Sequence, residues 1–525
     1  MAATNSIANP ASLDKYLYIR ETPAWKVRSL YLFGIVSWLL VVFGFWGLIT
    51  IDPFFTWFVT PIVALLTMYH LASFGLNLFY RQFDLKKHWA RVMSFWIDRR
   101  EPTVDIFLPV CGEDITVLRN TWEHVRNIPY RNKRVYVLDD SKENCDEHWE
   151  LAQQFSFTYL ERPNKGEMKK AGNLKHAYEK TDGEFIVIFD ADFAPHPDFL
   201  RETLPYMIDE NVGIVQTPQY FEASDTVHKQ SPLAYNAAFA EEPFYRFIQV
   251  TRSRFGGTIC CGSNAVYRRS ALQKIGGPVQ MDYSEDAHTG FALTSAGYRV
   301  LFVPVLLAIG LCPDNAYSFF HQQHRWCMGS MRLMMSKKFW LAPISWRIKF
   351  CYITGFMFYL HHPLTIVFSF HLFWTLFLYN EFIPLGNTFV FYPHIVFAVT
   401  YLWLFPIAKM RLGYFNILIA RTYAYAHAVK TALLGKSVGW ISTNAKHTSI
   451  SPAFRQVSRT VSVYVALYFL LTILALRTGD LHLFDHRYLS IQFWIFWNLV
   501  LSFLLLWQLR KTIFQMRRQE RVARK

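Results

Sequence analysis

The chain has 525 residues, of which 52% are hydrophobic, 18% aromatic and only 18% charged, with a formal net charge of +15. Soluble domains carry about 25% charged residues, so composition excludes a wholly soluble protein, the more so because the charges vanish over whole windows. No nucleic-acid motif accompanies the basic excess, so no nucleic-acid partner is expected; the charge is read as a topology signal and as affinity for anionic lipid headgroups.

Residues 1–98 are expected to hold an amphipathic segment and two membrane spans. No charged residue lies between Arg28 and Asp52, nor between Asp52 and Arg81. Each window exceeds the ~20 residues needed to cross a hydrocarbon core. The apolar run starts too late and is too long for a signal peptide, and no small-residue cleavage site follows. Lys26 and Arg28 precede the first window, and Arg81, Lys86, Lys87 and Arg91 follow the second. The positive-inside rule puts both clusters on the cytoplasmic face.

Residues 99–345 form a polar block with an α/β rhythm. Strands are predicted at 104–109, 134–139, 157–160, 185–190, 213–217 and 298–304, with helices near 114–126, 145–155 and 168–180. That alternation predicts a mostly parallel, Rossmann-like sheet, whose ligands bind beyond the carboxyl ends of the strands. Three of these strands run into acids. "LPVCGED" leads to Glu113 and Asp114, "YVLDDS" ends in Asp139 and Asp140, and "IVIFDADF" ends in Asp190 and Asp192. Two acids two residues apart on extended backbone face one side. Such a pair, with open positions left for substrate phosphates, suits Mg²⁺ or Mn²⁺. There is no GxGxxG and no P-loop, so basic side chains must help hold phosphates, and Lys170 in "KKAGNL" is a candidate. In "YSEDAHTG", Glu285 and Asp286 offer a general base. The seven cysteines form no CxxC pair, so neither zinc nor a disulfide framework is expected.

Residues 346–525 are expected to hold about four further spans with interfacial pieces. Phe350–Asn380 and Phe382–Ala408 are charge-free, Gln456–Leu476 contains only Arg459, and Tyr488–Leu509 is clean. The tail "RKTIFQMRRQERVARK" is basic. An even span count lets it share the cytoplasmic side with the two earlier clusters.

Six short motifs occur in a fixed order: "DD" at 139–140, "KAGNL" at 170–174, "DAD" at 190–192, "CGS" at 261–263, "SED" at 284–286 and "QQHRW" at 322–326. Set between membrane windows, they resemble the processive family 2 glycosyltransferases, above all the bacterial cellulose synthase catalytic subunit, over nearly all of residues 25–510. The resemblance implies a cytosolic GT-A domain inserted in an α-helical transmembrane channel of about six spans with interfacial helices. It implies a donor site of Glu113, Asp139, Asp140, Lys170, Asp190, Gln322 and Arg325. Asp190 and Asp192 would hold the metal, Mg²⁺ or Mn²⁺. Asp286 would be the catalytic base, and Cys261, Gly262, Ser263, Glu285 and Trp326 would meet the acceptor. A gating loop is implied at 440–451, with Trp440, Thr443 and Lys446 as the counterparts of F-x-V-T-x-K, one residue more widely spaced.

The implied function is inverting polymerisation of a UDP-sugar, UDP-glucose first, into a β-linked glycan, β-1,4 favoured, with export through the same chain. β-1,3, mixed-linkage or N-acetylglucosamine polymers, and a non-processive transfer to a lipid carrier, stay open. The implied setting is the bacterial inner membrane, with both termini cytoplasmic and periplasmic or export proteins as possible partners. Where cellulose synthase carries a cyclic-dinucleotide-binding domain, this sequence has a short basic tail, so regulation by that route within the chain is not expected.

Overall fold

A computed structural model describes residues 9–49, 55–97, 101–141, 144–379, 413–436, 450–479 and 489–523, with 393, 395–397, 399–400, 411 and 481 between them. A seven-stranded sheet lies at its centre. Its strands are β1 (Val104–Val110), β2 (Lys133–Asp139), β3 (Thr158–Glu161), β4 (Phe185–Ile188), β6 (Val212–Gln216), β8 (Ala265–Arg268) and β9 (Arg299–Phe302), in the order β3-β2-β1-β4-β8-β6-β9. A second, three-stranded sheet joins β5 (Phe193–Pro195), β10 (Ala308–Gly310) and β7 (Tyr220–Phe221), in that order. In the main sheet every neighbouring pair is parallel except those of β8, which runs antiparallel to both β4 and β6. This is the α/β GT-A arrangement expected.

β1 is apolar and buried along nearly its whole length, and β4 along all of it, the pattern of a strand covered on both faces. One cover is the helix Ile115–Arg126, which buries Leu118, Thr121, Trp122 and Val125 on one stripe. The Trp122 ring is fully buried against Phe155 and Phe157. Removing a ring so placed costs about 3–5 kcal/mol. Asp114 accepts from Thr116 N and caps this helix, a role the sequence shares between cap and site.

Register delivers the acids to one edge. Val110 of β1 pairs with Asp139 of β2, and Asp139 pairs with Glu161 of β3. Ile188, the last residue of β4, pairs with Phe107, and the chain then runs on to Asp190. The carboxyl ends of four adjacent strands therefore open onto the same crevice.

Among the described residues four helices are long and apolar enough to cross a membrane: Ala24–Trp46, Trp57–Asn77, Pro452–Thr478 and Gln492–Gln519. They flank the α/β domain in sequence. Their outward faces carry Phe43, Trp46, Trp57, Leu470, Phe496 and Phe503, all well exposed, as a lipid-facing surface would. The four helices coincide with four of the six windows read as spans in the sequence. The described part of the third window, residues 350–379, lies in two helices, Trp346–Phe368 and His371–Tyr379, and neither meets that standard. Most of Phe382–Ala408 lies outside the described residues. The helix Leu85–Ile97 buries His88, Val92 and Phe95 and leaves Trp89, Met93 and Ile97 exposed, the amphipathic pattern of an interfacial helix.

Candidate active site

A cavity of about 700 Å³ opens at the carboxyl edge of the sheet. Glu113, Asp140, Lys170, Asp190, Asp192, Cys261, Glu285, Asp286, Gln322, Arg325 and Trp326 all line it. Eleven of the residues singled out in the sequence, from seven separate segments, thus meet in one space.

The first two acids behave differently. Asp140 lines the cavity and is held by a two-pronged pair with Arg162, Nε to Oδ1 and Nη2 to Oδ2, each 2.8 Å. Gly166 N also donates to Oδ1, at 3.0 Å. Asp139 is fully buried and is not among the cavity-lining residues. Its oxygens accept from Ser141 N (2.7 Å), His148 Nδ1 (2.9 Å) and Tyr159 Oη (2.7 Å). Burial raises its pKa, but these donors outweigh burial and bring it below the usual carboxylate range. Asp139 thus holds the loop that presents Asp140. Ser141 Oγ in turn accepts from Gly112 N (2.8 Å), and Glu113 accepts from Cys111 N (2.6 Å). Burial raises the pKa of Glu113.

Lys170 lies at the start of the helix Lys169–Lys180, behind a turn in which Gly166, Met168 and Lys169 all have positive φ. Its ammonium pairs with Asp190 Oδ1 and comes within 3.9 Å of Glu285 Oε1. Burial works against its charge, but the charges of Asp190 and Glu285 dominate and raise its pKa. A cation already seated on Asp190 shows that the position favours positive charge. Asp190 and Asp192 supply two hard oxygen ligands in one cavity, and among the described residues no set of three or more His, Cys, Asp or Glu forms a closed metal cage. Two carboxylates with open coordination positions fit Mg²⁺ or Mn²⁺, whose remaining ligands are water and phosphate.

Ser263 is buried and does not line the cavity. Its Oγ accepts from Asp190 N (2.9 Å), so it holds the backbone of that acid. Gln216, at the end of β6, clasps the same turn from two sides: it accepts from Cys261 N and donates to Ser263 O, both at 2.8 Å. Gln219 donates to Cys261 O (2.9 Å) and accepts from Tyr245 Oη (2.7 Å). Gly262 sits between them with φ +80, and a Cβ there would lie 2.7 Å from Asp286 Oδ2.

Asp286 is at the start of the helix Glu285–Ser295, and its Oδ1 accepts from Ala287 N (2.7 Å). Burial first, then the neighbouring Glu285, raises its pKa to about 7, while Lys170 pulls the other way. A carboxylate tuned to neutrality suits proton abstraction at cellular pH. Gln322, Arg325, Trp326, Gly329, Ser330 and Leu333 form one face of the helix Ala316–Met335, and all line the cavity. Asn315 caps that helix, accepting from Ser318 N at 2.9 Å. Burial lowers the pKa of Arg325, against the pull of Glu285, Asp190, Asp286 and Asp192. Gly329 is forced small, because a Cβ there would collide with Ser284. The QQHRW helix is thus locked onto the turn that leads into Asp286.

Residues 105–276 match the glycosyl transferase family 2 model. That stretch, about a third of the chain, is similar to family 2 glycosyltransferase domains. The chain is cellulose synthase-like in sequence. It is 31% identical over 280 residues to cellulose synthase 1 of Komagataeibacter xylinus, a stretch covering 51% of this chain and 18% of that protein. It is also 31% identical over 271 residues to the cellulose synthase catalytic subunit [UDP-forming] of Pseudomonas fluorescens (strain SBW25), covering 51% of this chain and 36% of that one. The chain thus spans well under two thirds of these relatives' length, and the detected similarity takes in about half of the chain. Among solved structures it resembles the mannosyltransferase PcManGT from Pyrobaculum calidifontis in complex with GDP-Man and Mn²⁺, at 16% identity and a TM-score of 0.45, over 72% of this chain and all of that one.

Sequence reasoning did not find His148, Arg162, Gln216 or Ser141. His148, Arg162 and Gln216 act on site residues from outside the quoted motifs, and Ser141, within "YVLDDS", was passed over beside its two acids. The visible signal was a polar side chain at a strand end or cap, which loops supply in abundance. Trp440, Thr443 and Lys446 lie outside the described residues.

Proposed function

We propose that the chain is a membrane-embedded, inverting, processive glycosyltransferase that polymerises a UDP-sugar into a β-linked glycan and passes it through its own channel. The observation that carries this reading is the continuity of the cavity. The same space that holds Asp190, Asp286, Arg325 and Trp326 is lined further along by Tyr31, Tyr69 and His70, by Tyr352, Tyr359 and His361, and by Tyr414 and Tyr425. These belong to the helices Ala24–Ile49, Thr60–Asn77, Trp346–Phe368 and Gly413–Leu433. A lining of aromatic rings with hydroxyl and imidazole edges suits a sugar polymer, whose apolar faces stack while its rim hydrogen-bonds.

The chemistry follows from the residues. Asp140 and Glu113 face the nucleoside end of the donor, and Lys170 and Arg325 face its diphosphate. Asp190 and Asp192 would hold a Mg²⁺ or Mn²⁺, which neutralises diphosphate charge when bound. Trp326 offers the acceptor sugar a flat face. Asp286 takes the proton of the acceptor hydroxyl as its oxygen attacks the anomeric carbon. The bond from that carbon to the phosphate oxygen breaks, and Arg325 stabilises the negative charge that develops on departing UDP. In-line attack turns an α-linked donor into a β-linked product. UDP-glucose and a β-1,4 product are the favoured pair, as the names of the relatives suggest. The bacterial inner membrane, a cytoplasmic catalytic domain, a gating loop at Trp440, Thr443 and Lys446, and export partners belong to the same reading.

The test is purified protein in nanodiscs, with Mg²⁺ or Mn²⁺, against a panel of nucleotide sugars. UDP release and product length would be measured, and the product digested with linkage-specific glucanases. One donor giving a long polymer supports the proposal. Single-sugar transfer to a lipid replaces it with the lipid-carrier reading.

A further inference from the structure

Arg252 stands apart from the machinery above. It lies on the helix Gln249–Arg254, is only 5% exposed, and lines the cavity. Around it are Tyr69, Tyr352, Thr354 and Tyr359. Among the described residues it makes no ion pair. Its one hydrogen bond runs from Nη2 to Thr354 Oγ1, at a long 3.4 Å. Its buried Nε donates to nothing. The Phe244 ring lies 5.9 Å from its guanidinium carbon.

Three other buried arginines have carboxylate partners, and Arg268, which has none, is bonded to the carbonyls of Val212, Met207 and Asp209. Arg162 pairs with Asp140, Arg246 with Glu242, and Arg421, on the same cavity, with Glu241. An arginine does not shed its proton, and a buried charge without a counter-charge is unfavourable. The fold nonetheless keeps room for this one: a Cβ on Gly355 would come 3.2 Å from Nη2. A retained, buried and uncompensated guanidinium is a preformed receptor for an oxyanion.

The donor diphosphate already has Lys170 and Arg325, so the oxyanion belongs to another ligand. On the side of Arg252 the helices Thr60–Asn77 and Trp346–Phe368 close on each other. Ile62, Val63 and Leu66 pack with Leu364 and Phe368, and Tyr69 stacks on His361 at 4.3 Å between ring centres. That wall favours a ligand arriving along the cavity over an acyl chain entering from the side.

We propose that Arg252 binds the carboxylate of an acidic sugar unit in the glycan occupying the cavity. This inference rests on the glycan-synthase reading but replaces its favoured neutral glucose polymer with a glycan that carries uronic-acid units.

The test uses the full chain in nanodiscs of phosphatidylcholine, with two probes of equal length, a β-linked glucose tetrasaccharide and a β-linked glucuronic acid tetrasaccharide. Equilibrium binding is measured by titration calorimetry, and UDP release from nucleotide sugars is followed in the same samples. The acidic probe should bind about 10- to 100-fold tighter to the wild type, the range of one charge-assisted fork. Arg252→Gln should bring the two probes within about twofold of each other, and Arg252→Lys should retain part of the difference. Equal affinities in the wild type overturn the proposal whether or not any variant folds. An undiminished preference in Arg252→Gln overturns it too. An anionic phospholipid that copurifies with the wild type and is lost from Arg252→Gln, seen by native mass spectrometry, overturns it in favour of a lipid phosphate. UDP release without any charge preference sinks this inference alone, whereas no UDP release from any donor sinks the broader reading on which it stands.

Discussion

Gly262→Ala tests how the acceptor turn and the base are built together. The added Cβ would sit 2.7 Å from Asp286 Oδ2 and 2.9 Å from Asp286 Cβ. The second contact is the harder one, because moving a Cβ moves the first turn of the helix Glu285–Ser295. A non-glycine residue at φ +80 adds a backbone cost of about 1–2 kcal/mol. Displacing a catalytic group by about 1 Å costs on the order of 100-fold in rate. The variant should therefore lose about 100-fold in kcat for UDP release, with the donor KM within about twofold, since the donor-side residues are untouched. Gly276→Ala is the control. Its φ is +81, and nothing lies within 4 Å of the added Cβ, so it carries the backbone cost without the clash. It should lower the thermal midpoint by a similar few degrees and leave kcat alone. A Gly262→Ala protein with wild-type kcat, or a Gly276→Ala protein equally slow, would refute the packing argument.

Four further outcomes follow from the charges. Because burial and Glu285 raise the pKa of Asp286 to about 7, and the base must be ionised, kcat/KM should fall as pH drops through about 7, tenfold per unit below that. Lys170 pulls this pKa down, so Lys170→Met should move that acid limb to higher pH, by at least about half a unit; an unmoved limb would detach Lys170 from the base. The folded protein also binds this proton more tightly than the unfolded chain, so the stabilisation from protonated Asp286, full below about pH 4, should be lost as pH rises to about 7, read from thermal midpoints across that window. Arg162→Met would leave Asp140 buried without its fork and should cost about 3–5 kcal/mol of stability; a midpoint unchanged from wild type would show that Asp140 is not held this way.

The strands that fill the sheet's centre were legible because both of their faces are buried, leaving continuous apolar runs. β1, β2 and β4 sit where "VDIFLP", "RVYVLD" and "FIVIFD" put them. β5, β7, β8 and β10 were not legible. They are two to four residues long, too short for periodicity, and tertiary pairing decides them. β8 follows Asn264 in the left-handed region, which reads locally as a turn. In the site, the acids that line the cavity stood out because carboxylates at apolar strand ends are rare. Asp139 stood out for the same reason, yet its oxygens are consumed by His148, Ser141 and Tyr159, two of which arrive from other elements. A sequence displays an acid and hides its partners, so it cannot separate a ligand from the residue that steadies one. Arg252 is the converse: nothing in "VTRSRF" distinguishes it from Arg254, which is exposed and bonds to Phe79 O. Only burial without a counter-charge marks it.

The most direct test of the account is the initial rate of UDP release by wild type and Asp286→Asn, in nanodiscs with Mn²⁺ and the best donor, alongside UDP binding to both. Asparagine keeps the size of Asp286 and loses its basicity. The account predicts a fall of at least about 10²–10⁴-fold in rate, with UDP affinity within about twofold of wild type. A rate within tenfold of wild type would contradict it.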